Sequence, residues 1–369
     1  MLPVNDPIKE AERQMIICNA CRYCEGFCAV FQAMELRRHF SRGDITYLAN
    51  LCFDCRACYY ACQYAPPHEF DINVPKTFAQ VRAETYQRYS WPHILARLIG
   101  GRVGTGVLTG VCVALVLGLV LLLQGPEVVF GVHLGEGAFF RVVPYMAMTA
   151  PALAITAYGL AVFAVGAIRF WRDTGGSLRE LLDRRAFLRA ARDAMGLRYL
   201  KGGGDGCNYP DYRFSHARRI FHHLTFYGFL LDLASTTLAA IYHNIFHWEA
   251  PYPLTSPVVI LGTVGGIMIM IGTVGLLRLK WRSDREPAEE QMTDLDEPFI
   301  VILFLTAATG MVVLALRETA AMGVALAVHL GVVAAFFFTA PYGKFAHVVY
   351  RYAALVRHAI EQRRHPVHH

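Results

Sequence analysis

Charge is sparse in this sequence. Asp, Glu, Lys and Arg supply only 17% of its 369 residues, and the excess is +6. The basic residues gather beside apolar runs, where they report membrane orientation better than a nucleic-acid surface, so no nucleic-acid partner is expected. The opening stretch MLPVNDPIKEAERQM lacks the apolar core of a secretion signal, and the N-terminal part is therefore expected to stay in the cytoplasm. There is no phosphate-cradling loop, no dinucleotide fingerprint and no serine or cysteine triad signature. Oxidation of an organic substrate must then happen on another protein. Cysteine is nearly missing after residue 62, where only Cys112 and Cys207 occur; they read as a membrane-core residue and a loop thiol.

What is abundant is apolar sequence, a hydrophobic share of 55%. Apolar runs near 104–123, 145–170, 221–247, 257–277, 298–316 and 320–340 are each long enough to cross about 30 Å of hydrocarbon as a helix. The expected fold is mostly α: a head over residues 1–95 and a helical membrane domain over 96–369 with about six spans. Arginine and lysine crowd the 171–220 loop, from Arg172 to Arg219, and recur at Arg278, Lys280, Arg282 and Arg285. By contrast, 124–144 holds only Arg141 and 248–256 neither Lys nor Arg. That asymmetry places the head and the C-terminus on the cytoplasmic side of the inner membrane. The segment LRELLDRRAFLRAARDAM reads as one amphipathic helix on the membrane surface or against the head, or else as a solvated charged helix. Gly104, Gly106 and Gly110 fall inside the first span, where small residues favour helix packing, and Gly202–Gly206 form a loop.

The cysteines carry the sharpest pattern. Cys18, Cys21, Cys24 and Cys28 form C-x2-C-x2-C-x3-C, and Cys52, Cys55, Cys58 and Cys62 repeat it. This is the spacing of a two-cluster ferredoxin, in which the fourth cysteine of each run serves the other cluster. One [4Fe-4S] cluster is expected on Cys18, Cys21, Cys24 and Cys62, and a second on Cys52, Cys55, Cys58 and Cys28, with the fourth cysteine of each run opening a helix. Zinc sites do not favour a third cysteine at this pitch, and disulfides rarely persist in a reducing compartment. Proline usually follows the fourth cysteine in bacterial ferredoxins, but Ala29 and Gln63 stand there, and the linker 29–51 looks helical. The head therefore looks closer to the helical ferredoxin domain of iron-sulfur subunits of succinate dehydrogenase and heterodisulfide reductase.

The histidines suggest a second kind of redox group. On a continuous helix His329 and His347 would share one face about 27 Å apart, and His223 and His243 about 30 Å apart on the third span. The two spans run in opposite directions, so His222 or His223 with His347 would hold a head-side haem b, and His243 with His329 an outer one, giving two haem b groups. The alternative is a set of interfacial or hydrogen-bonded histidines. Asp232, mid-span, either relays protons or hydrogen-bonds a quinone, or is satisfied by Ser235, Thr236 or a neighbouring helix. His133, His365, His368 and His369 read as surface residues.

The segments CNACRYCEGFCAVFQAMELRR and YLANLCFDCRACYYACQYAPPHEFDINVP, together with RIFHHLTFYGFLLDLASTTLAAIYHNIFHW and AVHLGVVAAFFFTAPYGKFAHVVYR, closely resemble the tricarballylate/citrate utilisation protein B family. The resemblance implies a soluble FAD-dependent dehydrogenase as partner, whose reduced flavin this protein would reoxidise, delivering the electrons to membrane quinone within the lipid bilayer. The histidine spacing is also similar to that of the haem b subunit of respiratory nitrate reductase. Two other readings remain open: a tricarboxylate transporter with a redox-sensing iron-sulfur head, and a reductase of its own substrate. The first lacks Arg or Lys well inside a span, and the second lacks a further cysteine-rich motif.

Overall fold

Capping side chains set three of the six helix starts in the N-terminal part. Asp6 accepts from the Ile8 amide and Pro7 takes the first helical position of α1 (Pro7–Cys21), which stops at Arg22 in a left-handed conformation. After α2 (Ala29–Glu35), a reciprocal Ser41–Asp44 capping box opens α3 (Arg42–Leu51). Next come α4 (Ala57–Tyr60), α5 (Val74–Tyr89), capped by Asn73, and α6 (His93–Ile99). The computed structural model describes residues 6–202 and 204–365. Met15, Met34, Tyr47, Leu48, Phe78 and Tyr86 are fully buried between these helices.

Beyond Gly101 the chain is dominated by long apolar helices. These are α7 (Arg102–Gln124), α10 (Tyr145–Asp173), α12 (Ala217–Phe246), α13 (Pro257–Trp281), α14 (Glu290–Leu316) and α15 (Met322–Thr339). All six are long and apolar enough to cross a membrane, as the hydropathy runs predicted. Their outward faces keep large apolar side chains exposed, among them Leu115, Leu122, Leu153 and Leu160, which suits lipid rather than water. Short α8 (Pro126–Val129) and α9 (Ala138–Val142) fold back between α7 and α10.

Small residues set the closest helix contacts, though not where the sequence suggested. A Cβ on Gly265 of α13 would stand 2.8 Å from the Gly228 carbonyl of α12, and one on Gly331 of α15 would stand 2.5 Å from Val113 Cα of α7. Only glycine allows such approach. Gly106 and Gly110, expected to pack the first span, meet nothing within 4 Å and face outward; Gly104 alone of that stretch is in close contact, against the Leu98 carbonyl.

Three further expectations change. The stretch read as one amphipathic helix is a 3-10 turn, Leu178–Leu182, followed by α11 (Arg184–Met195); they are divided at Asp183, whose carboxylate caps the Ala186 amide and pairs with Arg363. The last span does not continue to His347. Pro341 cannot extend a helix, so α15 ends at Thr339 and a turn leads to α16 (His347–Arg364). That last helix packs into the head, while its first turns still touch the head-side ends of the membrane helices, Tyr350 against Phe170 of α10 and His347 against His222 of α12. Tyr350, Leu355 and Ile360 join the same core as Met15 and Phe78, and Glu361 pairs with Arg37 at 2.5 Å and accepts from the Tyr47 hydroxyl at 2.9 Å. A two-residue pair of antiparallel strands, β1 (Cys207–Asn208) and β2 (Phe214–Ser215), lies between α11 and α12.

The head-side ends of the membrane helices are tied by one carboxylate. Asp296 of α14 lies 2.8 Å from Lys280 Nζ of α13 and 2.7 Å from Lys344 Nζ, just before α16. Burial holds the Lys344 ammonium down to about 8, even with Asp296 opposing that shift. Asp296→Ala would leave two buried cations facing each other, and we expect a loss of about 3–5 kcal/mol, read as a lowered unfolding temperature in detergent. A variant as stable as the parent would show that the triad is solvated in practice.

Candidate functional site

The two cysteine runs occupy facing turns of the head. Cys18 and Cys21 lie in the last turn of α1, Cys24 in the turn after it, and Cys28 is the N-cap of α2, as expected for a fourth ligand that opens a helix. Cys52 caps the C-terminal end of α3, Cys55 follows in a loop bounded by left-handed Asp54 and Arg56, and Cys58 lies in α4. Cys62 departs from expectation: it follows α4 in a turn and opens no helix.

Their electrostatics couple the thiols within and between the two runs. Burial, then the charges of Cys24, Cys62 and Cys21, push the Cys18 thiol up to about 12. Cys24 is likewise pushed up to about 12, by burial, then Cys62, Cys21 and Cys55. Burial followed by Cys55 and Cys52 raises both Cys28 and Cys58. Thiols so placed would stay protonated unless a cation stood among them. Among the described residues no three metal-ligating side chains converge as a mononuclear site requires. A cubane asks for something else, one thiolate at each iron corner.

Unpaired donors provide a second test of fit. Arg56 and Arg82 are buried, and Nε of Arg56, Arg82 and Arg351 has no hydrogen-bond partner among the described residues. All three surround the group of Cys28, Cys52, Cys55 and Cys58. Arg82 is drawn to the Cys52 thiol, Arg351 donates to the Cys52 carbonyl at 2.9 Å and stacks over Phe53, and Arg56 stacks over Tyr209. A thiolate-ligated [4Fe-4S] cluster is an anion, and guanidinium groups with an unsatisfied Nε are what such an anion would draw on. The residues fit the group.

The histidines behave unequally. His222 of α12 and His347 at the start of α16 bring their rings to 6.4 Å between centroids. His347 Nδ1 lies 2.6 Å from the Lys344 carbonyl, which can only accept, so Nδ1 carries the proton and Nε2 keeps a free lone pair. Burial, then the charges of Arg351 and Lys344, hold this imidazole well below its ordinary range, in the neutral form a metal requires. Next to His222 in sequence, His223 turns away, its ring beside Tyr227. In the outer half, His243 stacks on Tyr145 at 3.7 Å and His329 Nδ1 lies 2.9 Å from the Thr309 hydroxyl; among the described residues no ring contact joins the two.

With this geometry in hand, the comparisons decide the family. Residues 102–367 match the family described as Citrate utilization protein B, and residues 11–88 match its Fer4-like domain. The chain belongs to the citrate utilization protein B family. Citrate utilization protein B of Escherichia coli is 45% identical over 365 residues, which cover 98% of this chain and 94% of that protein. No solved structure matches. As in the rest of the citrate utilization protein B family, the cysteine-bearing head is Fer4-like, an iron-sulfur module joined here to a multi-pass membrane bundle.

Several residues were misjudged by sequence alone. Cys207 is no loop thiol: it is fully buried on β1, its thiol meets that of Cys55 and donates to the Leu200 carbonyl at 3.2 Å, and Asn208 N donates to the Cys55 carbonyl at 3.0 Å. Asp232 Oδ1 is not satisfied by Ser235 or Thr236, because Ser235 donates to the Val258 carbonyl and Thr236 to the Asp232 backbone carbonyl, leaving Oδ1 buried without a partner among the described residues. His133 is half-buried, its Nε2 2.7 Å from the Val128 carbonyl, whereas His365 is exposed as expected; His368 and His369 lie outside the described residues. The arginines around Cys52 gave no spacing signal, since Arg56, Arg82 and Arg351 come from three distant segments.

Proposed function

We propose that this protein reoxidises a soluble FAD-dependent dehydrogenase of tricarballylate or citrate utilisation and passes the electrons through two [4Fe-4S] clusters and a haem b to membrane quinone. The clusters would be held by Cys18, Cys21, Cys24 and Cys62, and by Cys52, Cys55, Cys58 and Cys28. When bound, such groups accept and release electrons singly, which lets a two-electron flavin serve a membrane acceptor. The observation that carries the reading is the continuity of residues: Arg351 reaches the Cys52 carbonyl and lies one helical turn from His347, whose ring faces His222. The buried cysteine group therefore adjoins the histidine pair.

A metal–nitrogen bond of roughly 2 Å to each imidazole, and about 1 Å from nitrogen to ring centre, calls for centroids about 6 Å apart. The His222–His347 pair meets that spacing, whereas His243 and His329 make no comparable contact, so the proposal rests on the head-side pair. The unpartnered Asp232 carboxylate, within α12, would hydrogen-bond quinone or supply its proton. The basic loops lie on the head side, Arg218 pairing with Asp54 and Lys280 with Asp296, which supports a cytoplasmic head in the inner membrane.

Anaerobically purified protein tests the reading directly. We expect about eight non-haem irons per chain, a haem b spectrum on reduction by the reduced flavoprotein, and reoxidation by a quinone analogue. Clusters that no reduced flavoprotein bleaches would overturn it.

A further inference from the structure

On the head side of the bundle, α11 and the start of α12 enclose a cavity of about 810 Å³ lined by Arg189, Arg192, Arg198, Lys201 and Arg219, with Asp193 the one acid. Those six side chains sum to four positive charges. Arg198 is shared with Asp193 at 3.4 Å, and Arg219 donates to the Gly196 carbonyl at 3.0 Å while its Nε is buried without a partner. Arg189 and Arg192 are exposed, and among the described residues their side chains have no hydrogen-bond or ion-pair partner. No part of the cofactor chain proposed above uses any of them. A concave site with this excess of donors is built for an anion.

The border of the cavity says which kind. Leu188 lines it and is 60% exposed, and Met195 and Ile220 beside it are exposed as well. Tyr227 of α12 donates to the Met195 carbonyl at 3.0 Å, which fixes the end of α11 along the first turns of a membrane-crossing helix. The guanidinium groups thus stand at the boundary where the apolar part of α12 begins. A free anion in water needs no apolar border. A lipid does, because its phosphate sits among cations while its chains run down the adjoining helix.

We infer that this cavity binds the phosphate headgroup of an anionic phospholipid from the head-side leaflet, with the acyl chains along Ile220 and Tyr227. The lipid would lock α11 to α12 and hold the head at a fixed height over the bilayer. Free phosphate or a tricarboxylate shares the anionic chemistry but none of the apolar contact.

The test reconstitutes the full chain, cofactors included, in phosphatidylcholine discs with and without phosphatidylglycerol and counts retained lipid by native mass spectrometry. The parent should keep phosphatidylglycerol. R189Q/R192Q should weaken that retention more than about tenfold, given several-fold per basic residue near a membrane. R172Q/R179Q, with the same charge loss outside the cavity, should retain it like the parent. Unchanged cofactor spectra verify that each variant is folded. Equal retention by parent and R189Q/R192Q, or equal loss in R172Q/R179Q, would overturn the site. Displacement of the lipid by inorganic phosphate or citrate would overturn the lipid as its occupant.

Discussion

Cys58→Ala is expected to lose about half of the non-haem iron and to bring electron delivery to quinone down to background. The sharper expectation concerns which other substitutions share its signature. Cys58 lies in α4 and Cys28 caps α2, two short helices from opposite cysteine runs, yet both thiols respond first to burial and then to Cys55 and Cys52. On the crossed assignment, Cys28→Ala should therefore delete the same paramagnetic signal as Cys58→Ala. Cys62→Ala should instead delete the signal that Cys18→Ala deletes. Retained signals identify the surviving cluster in each case, because iron content alone cannot. If Cys28→Ala pairs with Cys18→Ala, the ligands are not crossed and the two runs bind independently. The environments differ too: Cys21 is exposed, whereas Cys52 and Cys55 are buried among arginines. Positive charge stabilises the reduced, more negative cluster whereas exclusion of water disfavours it, and with three guanidinium groups around the Cys52 group the charge should win, so the two signals should titrate at distinct potentials, the Cys52 group higher.

Much of this was legible because the signals are local. Six apolar runs gave six helices, since a span must satisfy its own backbone and leaves an unbroken hydropathy trace. Eight cysteines at fixed pitch marked both runs for the same reason. The misses come from contacts between residues distant in sequence. Nothing near Cys207 announces that it packs on Cys55, and nothing in α16 announces that Tyr350 and Glu361 complete the head. His347 is expected on a helical extension of the last span from its eighteen-residue spacing to His329, but Pro341 ends that helix. Its ring nonetheless stands 6.4 Å from that of His222, because the turn after Thr339 returns the chain to the head-side end of α12. The glycines show the converse: Gly106 and Gly110 have the spacing of a packing face, but a spacing cannot say whether a neighbour is present.

His347→Ala should abolish haem binding while leaving both cluster signals intact, and quinone reduction should fall by at least about 100-fold, the upper range for losing even an outer-shell partner of a metal. His222→Ala should do the same, because a low-spin iron needs both imidazoles. His223→Ala should keep the reduced haem spectrum, since that ring lies beside Tyr227 and away from His347. This contrast between adjacent residues separates ligation from a general disturbance of α12, which either substitution would cause alike. A milder variant reads the tautomer. His347 Nδ1 is committed to the Lys344 carbonyl, so His347→Asn, whose amide nitrogen stands at the Nδ1 position, keeps a hydrogen bond there but places nothing at the Nε2 position, and it should lose haem as fully as alanine. Retention of haem by His347→Asn would assign the ligand elsewhere, and with it the route from Cys52 into the membrane. Loss in both variants, with reduced clusters accumulating because they have nowhere to discharge, is what a relay running from the cysteines through this pair demands.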